Sequence, residues 1–182
     1  YMKSDEIGVN LRAMEPEDLE TLYEMENDEQ IWSVGVTNVP YSKSMLLDYI
    51  THASGDIYTD KQVRLMIENE GGQTIGIVDL FDFSPQHQRA ELGIVIKKEF
   101  RGKGYASLVV RKMREYAKKV LHLHQIYAIV PQDNINCVKM LKLSGFQHVT
   151  TIKEWLSDGE EYRHAEFFQS TLSILHTRNP AY

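Results

Sequence analysis

Between an apolar run ending at Ile96 and a basic amphipathic stretch starting near Tyr105, the chain reads Phe100-Arg101-Gly102-Lys103-Gly104-Tyr105-Ala106. Small residues at alternating positions let backbone N–H groups approach an anion closely, and a helix beginning there adds its orphan donors and the positive end of its dipole. This is the geometry of a phosphate cradle; it is also that of a tight strand-to-helix turn with incidental charges. A Walker loop is disfavoured, because four residues between glycines and a Lys-Ser/Thr pair are absent. A dinucleotide fingerprint is disfavoured by the missing third glycine and the missing acid at the end of a second parallel strand. From Lys97 to Lys119 nine bases face only Glu99 and Glu115, which suits an anionic ligand or a solvated helix face. His122 and His124 form a His-x-His pair with no further ligand cluster, so no metal is expected. Cys137 is the single cysteine, which excludes a disulfide scaffold and a cysteine-based metal cluster.

The elements that must position these residues follow from period and punctuation. Ile7 to Arg12 alternates like a strand, and Glu15-Pro16-Glu17-Asp18 opens a helix running to about Asn27. After an aperiodic stretch over 28–42, Ser42 caps a helix from Lys43 to about His52. Strands are expected over Gln62–Asn69 and Thr74–Phe83, joined by the turn Glu70-Gly71-Gly72-Gln73, and over Ala90–Ile96. From Tyr105 to Leu121 the apolar residues Ala106, Val109, Val110, Met113, Ala117, Val120 and Leu121 keep helical spacing. A strand over Gln125–Val130 and a helix over Ile135–Leu143 that Gly145 ends come next. Strands over Gln147–Leu156 and Tyr162–Leu175 close the chain around Ser157-Asp158-Gly159, with a frayed end at Asn179–Tyr182.

With 182 residues, 42% of them apolar and 25% charged, the chain suits one domain over 1–182 rather than two, and a folded rather than disordered class. No apolar run approaches the roughly 20 residues of a membrane span. With one cysteine and no leader pattern, a cytoplasmic location is expected, without a membrane partner. Tyr1 before Met2 reads as a residue left from expression. The net charge of −6 divides into −12 over residues 1–96 and +6 over residues 97–182. An acidic protein without aromatic residues spread through a basic face is not expected to bind nucleic acid.

The order of elements resembles the GNAT superfamily of acetyl-CoA-dependent N-acetyltransferases. Its signature of Gln or Arg, two residues, Gly, one residue, Gly or Ala is met by Arg101, Gly104 and Ala106. Asn134 through Gly145-Phe146 resembles the family's second cofactor segment, and Leu11 to Leu19 its opening strand and helix. The resemblance spans nearly the whole chain and implies an α/β (α+β) GNAT fold, a mixed, largely antiparallel seven-stranded sheet with helices on both faces. Among relatives it looks closest to bacterial spermidine acetyltransferases and ribosomal-protein N-terminal acetyltransferases.

The resemblance implies acetyl-CoA as cosubstrate and direct attack by an amine, with no metal. Backbone groups of Ile94, Val95 and Ile96 should pair with the pantetheine arm; Arg101, Gly102, Lys103, Gly104, Tyr105, Ala106 and Ser107 should hold the pyrophosphate. Asn134, Cys137 and Leu141, on or before the short helix, should lie near the sulfur. Glu91 is the expected proton acceptor, with Asp82 across from it in an acidic pocket for a small cationic amine, and Trp32 and Tyr41 lining that pocket. For Glu91 and Asp82, strand-end charges facing solvent are the competing reading; for Trp32 and Tyr41 it is core packing. His87 is a weaker proton acceptor. Leu141 stands where the polyamine enzymes carry a tyrosine acid, and Val36-Thr37-Asn38-Val39 where they carry acidic residues for a regulatory polyamine. Cys137 is then either a weak donor to the leaving sulfur or a small buried hydrophobe. The expected acceptor is a polyamine such as spermidine; the alternatives are a protein N-terminus or an idle acyl-CoA-binding module. A homo-oligomer is compatible with all three.

Overall fold

The computed structural model describes residues 7–28 and 40–172, so Trp32, Val36–Val39 and the chain end at Asn179–Tyr182 lie outside the described residues. Seven strands, β1 (Val9–Arg12), β2 (Val63–Asn69), β3 (Thr74–Ser84), β4 (Arg89–Ile96), β5 (Gln125–Pro131), β6 (Gln147–Ser157) and β7 (Tyr162–Thr171), form one sheet in the order β1-β2-β3-β4-β5-β7-β6. All neighbours are antiparallel except β4 and β5.

Among the described residues five helices accompany the sheet: α1 (Leu19–Glu26), α2 (Lys43–His52), α3 (Ile57–Asp60), α4 (Tyr105–Lys119) and α5 (Ile135–Leu143). The expected spans of α2 and α5 agree with the structure residue for residue, and in both the cap is a side chain on a backbone amide. Ser42 Oγ accepts from the Met45 amide at 3.1 Å, and Asn134 Oδ1 from the Cys137 amide at 3.2 Å. The first expected helix begins instead as a 3-10 turn over Pro16–Asp18, pinned where Asp18, 5% exposed, accepts from the Glu15 amide and from both terminal nitrogens of Arg12. The sequence reading missed α3, because four residues give no helical period; the Asp56 carboxylate caps it by accepting from the Tyr58 amide.

Strand alternation sends the residues of β3 into two separate cores. Val78 and Leu80 join Val109, Val110, Met113, Ile126 and Phe168 in the larger core under α4 and α5. Ile77 joins Leu22, Met25, Leu46, Ile50 and Met66 under α1 and α2. A strand buried on both faces reads as a continuous apolar run, as Ile75-Gly76-Ile77-Val78 does. The helices therefore cover both faces of a largely antiparallel sheet, the architecture expected from the sequence. Among the described residues no helix is long and apolar enough to cross a membrane.

Candidate active site

The site begins where the sheet comes apart. Strand β4 pairs with β3 along its length, to Gly76 opposite Ile96, but meets β5 only at Arg89–Gln125, Ala90–Ile126 and Glu91–Tyr127. Beyond Glu91 the two parallel strands diverge, while β5 continues to pair with β7 as far as Pro131 and Ala165. Over residues 92–96 the outward-turned backbone groups of β4, those of Leu92, Ile94 and Ile96, thus face a cleft unclaimed by β5, whereas Val95 turns its amide and carbonyl to Ile77 of β3, in the alternation that sets the Lys97 amide on the Ile75 carbonyl. An extended ligand with amide groups fits there as an added strand does.

At the far end of β4 the chain makes a 3-10 turn over Lys98–Phe100 and enters the cradle. Arg101 is exposed, and its Nε donates to the Ile96 carbonyl at 2.8 Å, tying cradle to strand end. Gly102 and Gly104 have φ of +75° and +89°, the left-handed region that side chains disfavour, and nothing lies within 4 Å of the place a Cβ would take at Gly102. Helix α4 starts at Tyr105, so its first amides, those of Tyr105, Ala106 and Ser107, come without intrahelical acceptors at the cradle. Two cradle side chains turn away: the buried Tyr105 donates its hydroxyl to Glu70, and the Ser107 hydroxyl pairs with that of Ser144 at 3.1 Å. Lys103 is exposed and lies over the Phe100 ring. Glycine at the two left-handed positions, open space beside Gly102 and a 15-residue helix behind them suit a pyrophosphate, while a Cβ at Gly104 would lie 3.2 Å from Ile7 Cδ1.

At the point where β4 and β5 part, three polar side chains from three strands converge. Glu91 is half-buried, and burial first and the negative charge of Asp82 second push its carboxyl up to about 7. Asp82 sits in an irregularity between Phe81 and Ser84 at φ +50°, which brings its exposed carboxylate alongside Glu91, whose register partner on β3 is Phe81. The Tyr127 hydroxyl donates to Asp82 Oδ2 at 2.9 Å, and its ring stacks on Phe167 with centroids 5.5 Å apart and planes 16° from parallel. Burial, then this bond to Asp82, keeps the phenol of Tyr127 protonated well above its ordinary range. The sequence reading missed Tyr127 and Phe167; their place on one face beside Glu91 was visible only as alternation within each strand. The arrangement is a carboxyl poised near neutrality beside a fixed anion and an aromatic shelf, able to attract an ammonium group and take a proton from it.

Helix α5 brings Asn134 and Cys137 to the C-terminal end of β5. Asn134 spends its side-chain oxygen on the cap, and the half-buried Cys137 has its thiol pushed up to about 11 by burial, so it is a neutral S–H at physiological pH. Leu141 is 1% exposed and packs within the larger core, against which the half-buried Cys137, one turn earlier on the same helix face, also packs. Tyr41 is half-buried against the smaller core and lines a cavity of about 290 Å³ with Glu26, Tyr49 and Arg64, a lining that does not include Glu91. That cavity adjoins the row Arg64, Asp79 and Gly93, on the same sheet face as the row Phe81, Glu91 and Tyr127. His87 is exposed in the β3–β4 turn.

A family model described as an acetyltransferase (GNAT) domain matches residues 9–147. The chain is 28% identical over 160 residues to the spermidine N(1)-acetyltransferase of Escherichia coli (strain K12), covering 87% of this chain and 83% of that protein. The crystal structure of a Vibrio cholerae spermidine N-acetyltransferase in complex with CoA and spermine superposes with a TM-score of 0.79 at 26% identity, covering 90% of this chain and 95% of that one. A dodecameric structure of spermidine N-acetyltransferase from the same organism gives 0.77 at 25% identity, covering 94% and 98%.

Proposed function

The chain belongs to the GNAT acetyltransferase family, and from that premise we propose that it transfers the acetyl group of acetyl-CoA to a primary amine of a polyamine such as spermidine. One observation carries the choice of acceptor: Glu91, poised near neutrality beside Asp82 and the Tyr127–Phe167 shelf, stands where the cleft opens. A cationic amine is drawn to such a pocket, whereas an anionic or uncharged acceptor gains nothing from it.

On this reading the backbone amides of residues 101–107 and the dipole of α4 hold the pyrophosphate, and the cleft-facing backbone groups of Ile94 and the Ile96 amide align the pantetheine arm, with Val95 between them anchored to β3. Acetyl-CoA supplies the thioester. Glu91 takes a proton from the bound ammonium, directly or through water, leaving a nitrogen lone pair free to attack the carbonyl carbon. A backbone N–H near Ile96 stabilises the negative charge that grows on the carbonyl oxygen. As the N–C bond forms the C–S bond breaks, and the second proton, which the nitrogen sheds on becoming an amide, passes through solvent or by way of the Cys137 thiol to the departing thiolate at the N-terminus of α5, while Glu91 returns its own proton to solvent. Asp82 remains the counter-ion for the cation. Residues 1–182 act here as one domain, placed in the cytoplasm where polyamine and acetyl-CoA are both to hand, and assembly into a homo-oligomer is consistent with the dodecameric relative.

The test is thiol release from acetyl-CoA across polyamines, amino sugars and peptides. Spermidine or spermine is expected to give the highest kcat/KM, with KM rising as salt screens the pocket. Preference for a peptide N-terminus would replace polyamine by protein as acceptor, and binding of acetyl-CoA without release on any amine would leave only the acyl-CoA-binding module.

A further inference from the structure

Helix α5 is fastened at both ends, and the fastening at its N-terminus uses a buried charge. At the C-terminal end Arg114 of α4 donates to the Ser144 carbonyl at 3.1 Å and to the Ser170 hydroxyl at 2.8 Å. At the other end the turn after β5 is tied to β7 three times. The Gln132 amide donates to the His164 carbonyl at 3.0 Å, Arg163 donates to Asp133 at 3.1 Å, and Gln132 Nε2 donates to Glu166 Oε1 at 3.1 Å. Glu166 is only 8% exposed, opposite Val130 of β5 and Thr151 of β6. Besides Gln132 its carboxylate binds the Thr151 hydroxyl, at 2.8 Å and 3.0 Å, and His148 Nε2.

A buried carboxylate is costly unless its oxygens are occupied, and an apolar residue at such a position generally serves stability as well or better. What an apolar residue cannot do is grip an amide. Gln132 is itself exposed, so the sheet does not need its side chain in order to fold; the bond to Glu166 acts on the conformation of the turn that launches α5. We propose that Glu166 is a positioning residue: through Gln132 it fixes the turn between β5 and α5, and with it the place at which the N-terminus of α5 meets the thioester. This rests on the acetyl-transfer reading above. Thr151 and His148 hold the carboxylate in the orientation that presents Oε1 to Gln132.

Gln132→Ala removes the grip without touching the core. It is expected to melt with the wild type, to leave KM for the amine unchanged, and to lower kcat and acetyl-CoA affinity by about tenfold, well inside the loss of about a hundredfold that a misplacement of about 1 Å brings. Glu166→Gln keeps an oxygen for Gln132 and should retain more activity than Glu166→Leu, which keeps none. Affinity for acetyl-CoA, read by calorimetry, requires no amine, so a wild type inert toward every amine would overturn the acetyl-transfer reading while the grip is still measured by binding. A Gln132→Ala protein that matches the wild type in acetyl-CoA affinity and kcat would overturn the proposal.

Discussion

If Glu91 is the proton acceptor, the pH dependence of the reaction is set by the surroundings described for it, and two variants separate the contributions. With its carboxyl pushed up to about 7, Glu91 is half ionised at neutrality, and kcat/KM should rise with pH through about 7 as the base form appears. Glu91→Gln removes the base and should lower kcat by about a hundredfold or more, abolishing this limb of the profile. Asp82→Asn removes only the neighbouring charge. Because burial is the larger cause, the limb should move toward acid without reaching the ordinary carboxylate range. An exposed anion a few ångströms away contributes on the order of 1 kcal/mol, so the expected displacement is about 0.5 to 1 pH unit. Stability should run the opposite way. A carboxyl raised in the folded state favours folding below its unfolded value of 4.5, and that contribution is lost as pH rises through about 7. Glu91→Gln should therefore be the more stable protein at pH 8, by about 1 kcal/mol once solvent screening of this half-exposed group is allowed for. Initial rates from pH 5.5 to 9, with urea unfolding at pH 5 and pH 8, supply both readings. A Glu91→Gln enzyme keeping the wild-type limb and more than about a tenth of kcat would refute the assignment; an Asp82→Asn limb that stays in place would refute the tuning.

Gly104→Glu places a carboxylate, at φ +89°, where phosphate is expected, and calorimetry should find acetyl-CoA binding lost while the protein still folds. Gly76→Ala puts a Cβ 2.2 Å from the Val95 carbonyl oxygen, so the β4 edge must shift; KM for acetyl-CoA should rise and stability fall by about 1–3 kcal/mol, read by steady-state kinetics and urea unfolding. Leu141→Tyr overfills the larger core and should lower the melting temperature with no gain in kcat, whereas a gain would mean that residue 141 reaches the sulfur after all. Cys137 should react slowly with iodoacetamide at pH 7.5 and faster as pH climbs toward about 11, and Cys137→Ala should lower kcat by only about twofold to fivefold; an inactive variant would make the thiol the acid.

The parts of this fold that can be read in one dimension are those set by neighbours in sequence. Ser42 and Asn134 cap helices through amides three residues on, Gly145 ends α5 at φ +89°, and Ile77 and Val78 announce a strand buried on both sides. The cradle was legible for the same reason, since its glycines and the helix behind them are contiguous. The acceptor side was legible only in part. Glu91 and Asp82 lie on adjacent antiparallel strands joined by a short turn, but Tyr127 reaches Asp82 across a parallel pairing whose register nothing local determines. For Leu141 spacing gives the helix face but not what that face packs against, which depends on α4, Phe146 and Phe168. The contacts of Glu166 join three strands and a turn, and no spacing rule reaches across them.

The parting of β4 from β5 divides the sheet into two plates, β1 to β4 and β5-β7-β6, stitched to each other by three residue pairs. Within each plate every neighbour is antiparallel; the seam is the one parallel junction and the weakest per residue. A ligand lying along the β4 edge is, for the fold, a suture across that seam, and its binding energy is added to the stability of the whole molecule, about 2.7 kcal/mol at a hundredfold excess over Kd. Amide exchange at Gly93 and Val95 should therefore slow when acetyl-CoA is present, and the protein's lifetime in a cell should follow the supply of its acetyl donor.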